Sequence, residues 1–357
     1  MRILFFFFSM LLAMLLCLSA IACKLFVVTA KDALPPIESS AVTLDAEMEP
    51  LTAEGLPITL LPIEEKHLED KTVSLPLTNK KGVLKTSTVS DKDYYVTVSV
   101  NGAKERMSLH EYLVGILLAE LPMGFCEDAR YAQAVAARSY IVHYVERGMG
   151  LGPWSCAYYT RERAKEKYTH LYDIALEQAI AAVEATDGII LTYGDKACMA
   201  AFHAMSYDKT ESAGAVWGEE MPYLVPVSTP EDIEMGGMET SYTFSQEELS
   251  ALLGGVCRLP MSYTVSEGGR VDRVTFASGD SYAATEVRSA LSLRSTAFAS
   301  VTQNKKQITI TVLGYGHGVG MSQWGAQMMA LGGHSWQQIL SHYYTGATLD
   351  TLSSRFE

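Results

Sequence analysis

The sequence predicts an α+β, membrane-anchored protein in which a pair of helices packs with a mainly antiparallel β region. Four observations carry that expectation. Two helical patterns stand side by side at residues 109–121 and 127–147, and short β-branched runs dominate from residue 188 onward. The chain also opens on a long apolar run, and no strand and helix alternation or internal repeat points to a βαβ architecture.

The 357 residues hold 28 Lys+Arg against 41 Asp+Glu, a net charge of −13, and are 48% hydrophobic. Such a chain can bury a large core without disulfide staples and is not disordered throughout. Its acidity excludes nonspecific nucleic-acid binding, which draws its affinity from clustered Lys and Arg. The charge is uneven: +2 over residues 1–30, −8 over 31–70, +4 over 71–90 and −11 over 91–357.

Arg2 precedes an unbroken apolar run over residues 3–23, long enough to cross a bilayer as a helix. With Arg2 on the near side, the N-terminus is placed in the cytoplasm and the rest outside. A cleaved signal peptide and a lipidated Cys23 are the competitors. The first usually has a shorter apolar region, and the second expects a large aliphatic where Ala20 stands. The predicted layout is an anchor at 1–30, an acidic Pro-containing stalk at 31–91, a folded domain at 92–350 and a tail at 351–357. Ten acids and five prolines between residues 31 and 70 resist helix and repel one another.

Folding signals start at the alternating Tyr-Tyr-Val-Thr-Val-Ser-Val run from Tyr94, a strand. Ser108 and Glu111 then form a capping box, followed by Leu109, Tyr112, Leu113, Ile116 and Leu117 on one helical stripe that stops before Pro122. An alanine-rich helix runs over 127–147 to Gly148. Residues 188–193, 199–203, 271–276 and 307–313 read as strands. Helices are expected at 243–253, capped by Ser245, and at 326–331 and 336–344. Cys126, Cys156, Cys198 and Cys257 are too irregularly spaced for a metal or disulfide framework and are expected to be unpaired thiols.

Chemistry can sit in four places. Glu120 stands at a junction between helices among apolar neighbours, where desolvation would raise its pKa toward that of a general acid; a solvent-facing helix end is the alternative. Arg138, Ser139 and Tyr140 offer a bidentate fork and a platform, or else a surface arginine beside a core tyrosine. His203, Ser206, Lys209, Thr210 and Glu211 crowd a loop after a strand, with Tyr223 beyond. A Ser-His or Cys-His nucleophile using Ser206 or Cys198 lacks the flanking elbow glycines. The run Gly314-Tyr-Gly-His-Gly-Val-Gly-Met-Ser-Gln-Trp-Gly325 contributes His317, Ser322 and Gln323. It ends without the lysine of a phosphate loop, so nucleotide binding is disfavoured. No HxxxH or HExxH pair occurs among the eight histidines, so no metal site is readable locally.

Together these segments resemble the stage II sporulation protein D family over about residues 92–350. The resemblance rests on Ala119-Glu-Leu-Pro122 with Phe125, on Ala132-Gln-Ala-Val-Ala-Ala-Arg-Ser-Tyr140, on residues 203–211, and on Gly316 to Gly325 followed by Ile339-Leu-Ser-His-Tyr-Tyr-Thr-Gly346. It implies a peptidoglycan lytic transglycosylase, a lyase of the cell wall acting in forespore engulfment. Glu120 would be its catalytic acid. Arg138, Ser139, Tyr140, His203, Ser206, Lys209, Thr210, Glu211, Tyr223, His317, Ser322 and Gln323 would hold the glycan. The implied substrate is a peptide-stripped strand cut between N-acetylmuramic acid and N-acetylglucosamine, with a sporulation amidase or endopeptidase and a membrane scaffold protein as partners. Arg138 would fork to the free lactyl carboxylate of muramic acid. Val225 departs from the family's frequent lysine two positions after the tyrosine, and residues 204–208 are bulkier than usual. Some members bind zinc after the Ala-Arg-Ser-Tyr helix. Here only Cys156 stands in that loop, with His143 and His170 distant in sequence, so no zinc and no cofactor are expected. The family also includes amidase enhancers, which implies the alternative of a non-catalytic glycan-binding protein that stimulates an amidase.

Overall fold

The computed structural model describes residues 89–355 except 101, 153–154, 230–231 and 233–237. The predicted anchor and nearly all of the predicted stalk lie outside the described residues. Among the described residues no helix is long and apolar enough to cross a membrane.

Strand β1 (Tyr95–Val100) turns Val96, Val98 and Val100 inward and pairs antiparallel with β2 (Ala103–Ser108), from Tyr95 opposite Ser108 to Val100 opposite Ala103. The charge-rich text of β2 carried no strand signal. Helix α1 (Leu109–Glu120) starts where the Ser108 hydroxyl accepts the Glu111 N–H at 3.2 Å. It stops at Leu121, which the following Pro122 holds extended. Nine of its twelve residues are buried, so it is a core helix and not a half-exposed one.

Helix α2 (Glu127–Glu146) packs on α1, and α3 (Arg161–Tyr168) and α4 (Tyr172–Ala185) complete the helical group. Strands β3 (Ile189–Tyr193) and β4 (Lys196–Ala197) form a hairpin over α2, and β5 (Phe202–His203) and the short α5 (Ala213–Trp217) follow.

Residues 240–313 then build a second layer with its own core. It contains β6 (Thr240–Ser245), α6 (Gln246–Leu253), β7 (Met261–Val265), β8 (Val271–Phe276), β9 (Ser281–Ala283), α7 (Ala284–Ala290), β10 (Ala297–Gln303) and β11 (Gln307–Leu313). Two antiparallel sheets, β10-β11-β6 and β7-β8-β9, close over Leu249, Val274, Phe276, Ile308, Ile310 and Val312. The chain returns through the glycine run to β12 (Met321–Ser322), which lies parallel to β5. This is the only parallel pair among the described strands. Helices α8 (Gln323–Leu331) and α9 (Trp336–Tyr343) and strand β13 (Thr348–Thr351) finish the fold, with β13 pairing β3.

Two expected boundaries move. Asp91 is fully buried, and Val89 N–H reaches Ser353 Oγ at 3.3 Å, so the folded part includes residues assigned to the stalk. At the other end Thr351 pairs with Ile189 and Leu352 is fully buried, so residues 351–355 are not a tail. In both cases backbone and side chain are drawn into the core by partners distant in sequence.

Candidate active site

Glu120 is the last residue of α1, and its carboxylate is held by two donors. Ala157 N–H gives to Oε1 at 2.8 Å and Gln323 Nε2 to Oε2 at 3.3 Å. Both would lower its pKa, but burial outweighs them and pushes it up to about 7. No charged group contributes to that shift. At neutral pH the carboxyl is therefore present in both protonation states, which suits one group that must first give a proton and then take one.

Three local features place it. The Tyr168 hydroxyl donates to the carbonyls of Leu118 at 2.7 Å and Leu121 at 3.3 Å, satisfying helix-end acceptors that would otherwise be orphaned. Tyr168→Phe is expected to cost about 1 kcal/mol by thermal denaturation and to lower turnover, because the end carrying Glu120 then frays. Gln323 is presented by the first turn of α8, which Ser322 caps by accepting Gly325 N–H at 3.1 Å.

The third feature is Gly115. A Cβ there would strike the Tyr158 ring and the Tyr159 carbonyl, and Tyr159 N–H donates to Gly115 O at 3.1 Å. Only glycine lets the 155–159 segment lie on α1 and aim Ala157 N–H at Glu120. Gly115→Ala is expected to shift the pKa of Glu120 downward, because the displaced 155–159 segment admits water and burial is the largest cause of the raised value, and to destabilise by about 1–3 kcal/mol. Carboxyl titration by NMR and a melting curve would check both; an unchanged pKa would contradict the placement.

The remaining expected residues divide. His203 is buried, with Nδ1 3.1 Å from Val319 O and Nε2 2.6 Å from Ser206 Oγ. Asp232, which the sequence did not single out, accepts Ser206 N–H at 2.9 Å and the Ser322 hydroxyl at 3.0 Å. This network ties β5, the 206–232 loop and the α8 cap together. His317 sits with its ring 5.6 Å from His203 and 5.1 Å from Trp217. Burial, then Arg288 and Arg270, drive its pKa down to about 3, so it is a neutral imidazole whose Nδ1 accepts Val319 N–H at 3.0 Å. The glycines of this loop are needed for contact: a Cβ on Gly314 would meet the Ser206 carbonyl, and one on Gly320 the Ala201 carbonyl, both at positive φ.

Arg138 is a correction. Its guanidinium is fully buried and forks to Asp91, Nε to Oδ1 at 2.8 Å and Nη2 to Oδ2 at 2.6 Å, with further bonds to Thr186 and the carbonyls of Val183 and Ile189. It pins the start of the domain and has no face toward a glycan. Ser139 is likewise buried, bonding Val135 O at 2.6 Å and accepting Leu191 N–H at 2.7 Å. Thr210 is buried as a loop staple, accepting Val227 N–H at 2.8 Å.

Glu211 is buried as well, taken by Ser212 N–H at 2.8 Å and by the Ser266 hydroxyl. Tyr223 buries its hydroxyl against Met199 N–H at 2.9 Å and lines a cavity of about 360 Å³ with His143, Tyr144, Arg147 and Tyr193, which Glu120 does not touch. Lys209 is exposed, and Tyr140 is half-buried in an aromatic group with Tyr144 and Phe202, ring centroids 4.8 and 6.4 Å away.

Cys156, Cys198 and Cys257 are free thiols. Among the described residues no group of three or more His, Cys, Asp and Glu side chains is placed to hold a metal. What the site offers is a single acid of near-neutral pKa at the seam of α1, the 155–159 segment and α8.

Residues 100–193 match the family model described as Stage II sporulation protein, so the class is that of sporulation proteins. Stage II sporulation protein D of Bacillus amyloliquefaciens is 33% identical over 285 residues, 76% of this chain and 81% of that protein. Its counterpart in Bacillus subtilis (strain 168) is 31% identical, over 77% and 82%. The chain belongs to the stage II sporulation protein D family. An Amidase enhancer of Bacillus subtilis (strain 168) is more distant, 23% identical over 66% of this chain and 40% of that protein.

Proposed function

We propose that the chain is a lytic transglycosylase that cleaves peptide-stripped peptidoglycan strands between N-acetylmuramic acid and N-acetylglucosamine during forespore engulfment. The observation that carries this is the isolated Glu120, half-protonated near neutrality and held by two neutral donors. Protonated Glu120 gives its proton to the glycosidic oxygen as the bond from C1 of the muramic residue breaks. The resulting carboxylate takes the proton of the same sugar's 6-hydroxyl, whose oxygen bonds to C1 and closes the 1,6-anhydro ring. No water is consumed, and Glu120 ends protonated as it began. A hydrolase usually needs a second carboxyl about 5–9.5 Å away, and no carboxylate contributes to the shift of Glu120.

The apolar run at residues 3–23 supports an N-terminal anchor with the folded part outside the cytoplasm, where the glycan is. The test is digestion of peptide-stripped strands by the full-length protein, followed by mass analysis. Products lighter by one water than hydrolytic fragments are expected, and ordinary reducing ends would refute the reaction. The relative named Amidase enhancer favours a second reading, a glycan-binding protein that stimulates an amidase. Intact strands that remain bound to the protein would decide for it.

A further inference from the structure

The recognition of an anionic strand by a domain of charge −11 needs a local source of positive charge, and Arg138 cannot supply it. Three other arginines converge instead, all from the inserted layer of residues 240–313. Arg270 precedes β8, Arg288 lies on α7 and Arg294 follows it. Arg288 Nε donates to Arg294 O at 3.3 Å, the same carbonyl accepts Gly316 N–H at 2.9 Å, and Tyr242 Oη takes Arg294 N–H at 3.2 Å. These bonds press the pair against the glycine run. The Arg294 guanidinium lies 5.5 Å from the Tyr315 ring centroid. Arg270 closes from behind, Nη2 to Ser206 O at 3.4 Å, in the space that a side chain on Gly318 would fill.

Like charges gathered in this way are unstable without a counter-ion. Among the described residues none of the three forms an ion pair. Glu211 and Asp232 act on Arg270 from a distance, but their oxygens are taken by Ser212, Ser266, Ser206 and Ser322. Burial acts most strongly on Arg288, and no carboxylate is among the groups that act on it. Arg270 is 2% exposed and its Nε and Nη1 have no partner. Arg288 and Arg294 are partly exposed, with no partner on their terminal nitrogens. The neighbouring imidazoles of His203 and His317 are neutral and add no charge. Backbone geometry joins this group to the acid: Tyr315 N–H donates to Met205 O at 2.8 Å, Trp324 N–H donates to the neighbouring Ala204 O at 3.0 Å, and Gln323, next to Trp324, donates to Glu120.

We propose that Arg288 and Arg294, backed by Arg270, form a carboxylate-binding subsite that reads the free lactyl group of a peptide-stripped muramic residue beside Glu120. A guanidinium fork matches a carboxylate geometrically, and a lactyl group still amidated to its peptide has no such charge to offer. The inserted layer is thereby a specificity element. This rests on the reading of the substrate as a glycan strand.

The test compares two probes, peptide-stripped strands and the same strands with their lactyl carboxylates converted to methylamides. The full-length Glu120→Gln protein is expected to bind the native strands at least tenfold more tightly, with an advantage that shrinks between 50 and 200 mM salt. In the Glu120→Gln, Arg288→Gln, Arg294→Gln protein the two probes should bind equally. The Arg288→Lys, Arg294→Lys counterpart, which keeps charge but loses the fork, should restore part of the difference, and circular dichroism confirms that each variant is folded. Equal binding of the probes before the arginines are changed, including binding of neither, overturns the proposal, as does discrimination that persists after. Cleavage by the unmutated protein is followed in parallel. Cleavage of both probes with equal affinity sinks the subsite and spares the reaction, whereas discrimination without cleavage sinks the reaction and spares the subsite.

Discussion

Glu120→Gln is expected to lower glycan cleavage by about 10²–10⁴-fold while strand binding persists, the range that removal of a general acid produces. The amide keeps the shape and can still accept from Ala157 N–H, so the fold around α1 is preserved. The pH dependence of the unmutated protein follows from the same group. The free protein must carry protonated Glu120, so kcat/KM should halve near pH 7 and fall about tenfold per unit above it.

Stability should fall over the same pH range. Glu120 titrates at 4.5 in its ordinary state and at about 7 in the fold. The native state therefore binds the extra proton, and the stability this gives is full below pH 4.5 and lost as pH rises through 7. At pH 8 the charged carboxylate in its desolvated site costs about 2–3 kcal/mol, allowing for its partial exposure. The glutamine variant should thus melt several degrees higher than the unmutated protein at pH 8 and show little difference at pH 4. Equal melting temperatures at pH 8 would contradict the desolvated carboxyl.

The second large effect is at Asp91 and Arg138. Arg138→Met is expected to cost about 3–5 kcal/mol, since it strands a buried carboxylate whose other neighbours cannot neutralise it. Asp91→Asn should be nearly as damaging, leaving an unpaired guanidinium among Thr186 and two carbonyls. Changing both, Asp91→Leu with Arg138→Met, should recover much of the loss, because a matched apolar pair removes both desolvation costs. Denaturant melts of the three variants form a double-mutant cycle. Additive losses would show that the pair is not coupled. A fragment beginning at residue 92 lacks Asp91 and should be as unstable as the single variants, whereas one that begins before residue 89 should not.

Much of the helical layer was legible because its signals are local. The Ser108 cap, the stripe behind it, the alanines of α2 and the stop at Pro122 each act within a few residues. β8, β11 and α6 were legible for the same reason, while β2, β7, β9 and β10 were not, since polar, half-exposed strands owe their form to the partner beside them. Arg138 was misread for a related reason. Its partner sits 47 residues upstream, in a segment whose acids and prolines read as stalk.

The sequence by itself determined that Glu120 ends a helix among apolar neighbours and that a glycine-rich loop precedes α8. Its side-chain pattern is also sufficient to resemble the family to which the chain belongs. Only the tertiary structure decided what Glu120 can do. Its donors come from Ala157 and Gln323, 37 and 203 residues away, and its pKa is set by how completely they and their neighbours exclude water. The same holds for the charges: which arginine is paired inside the fold and which three are left without an ion pair among the described residues depends on pairings across the chain. Helix stripes and caps are short-range and written locally, whereas desolvation and ion pairing are sums over everything that folding brings near.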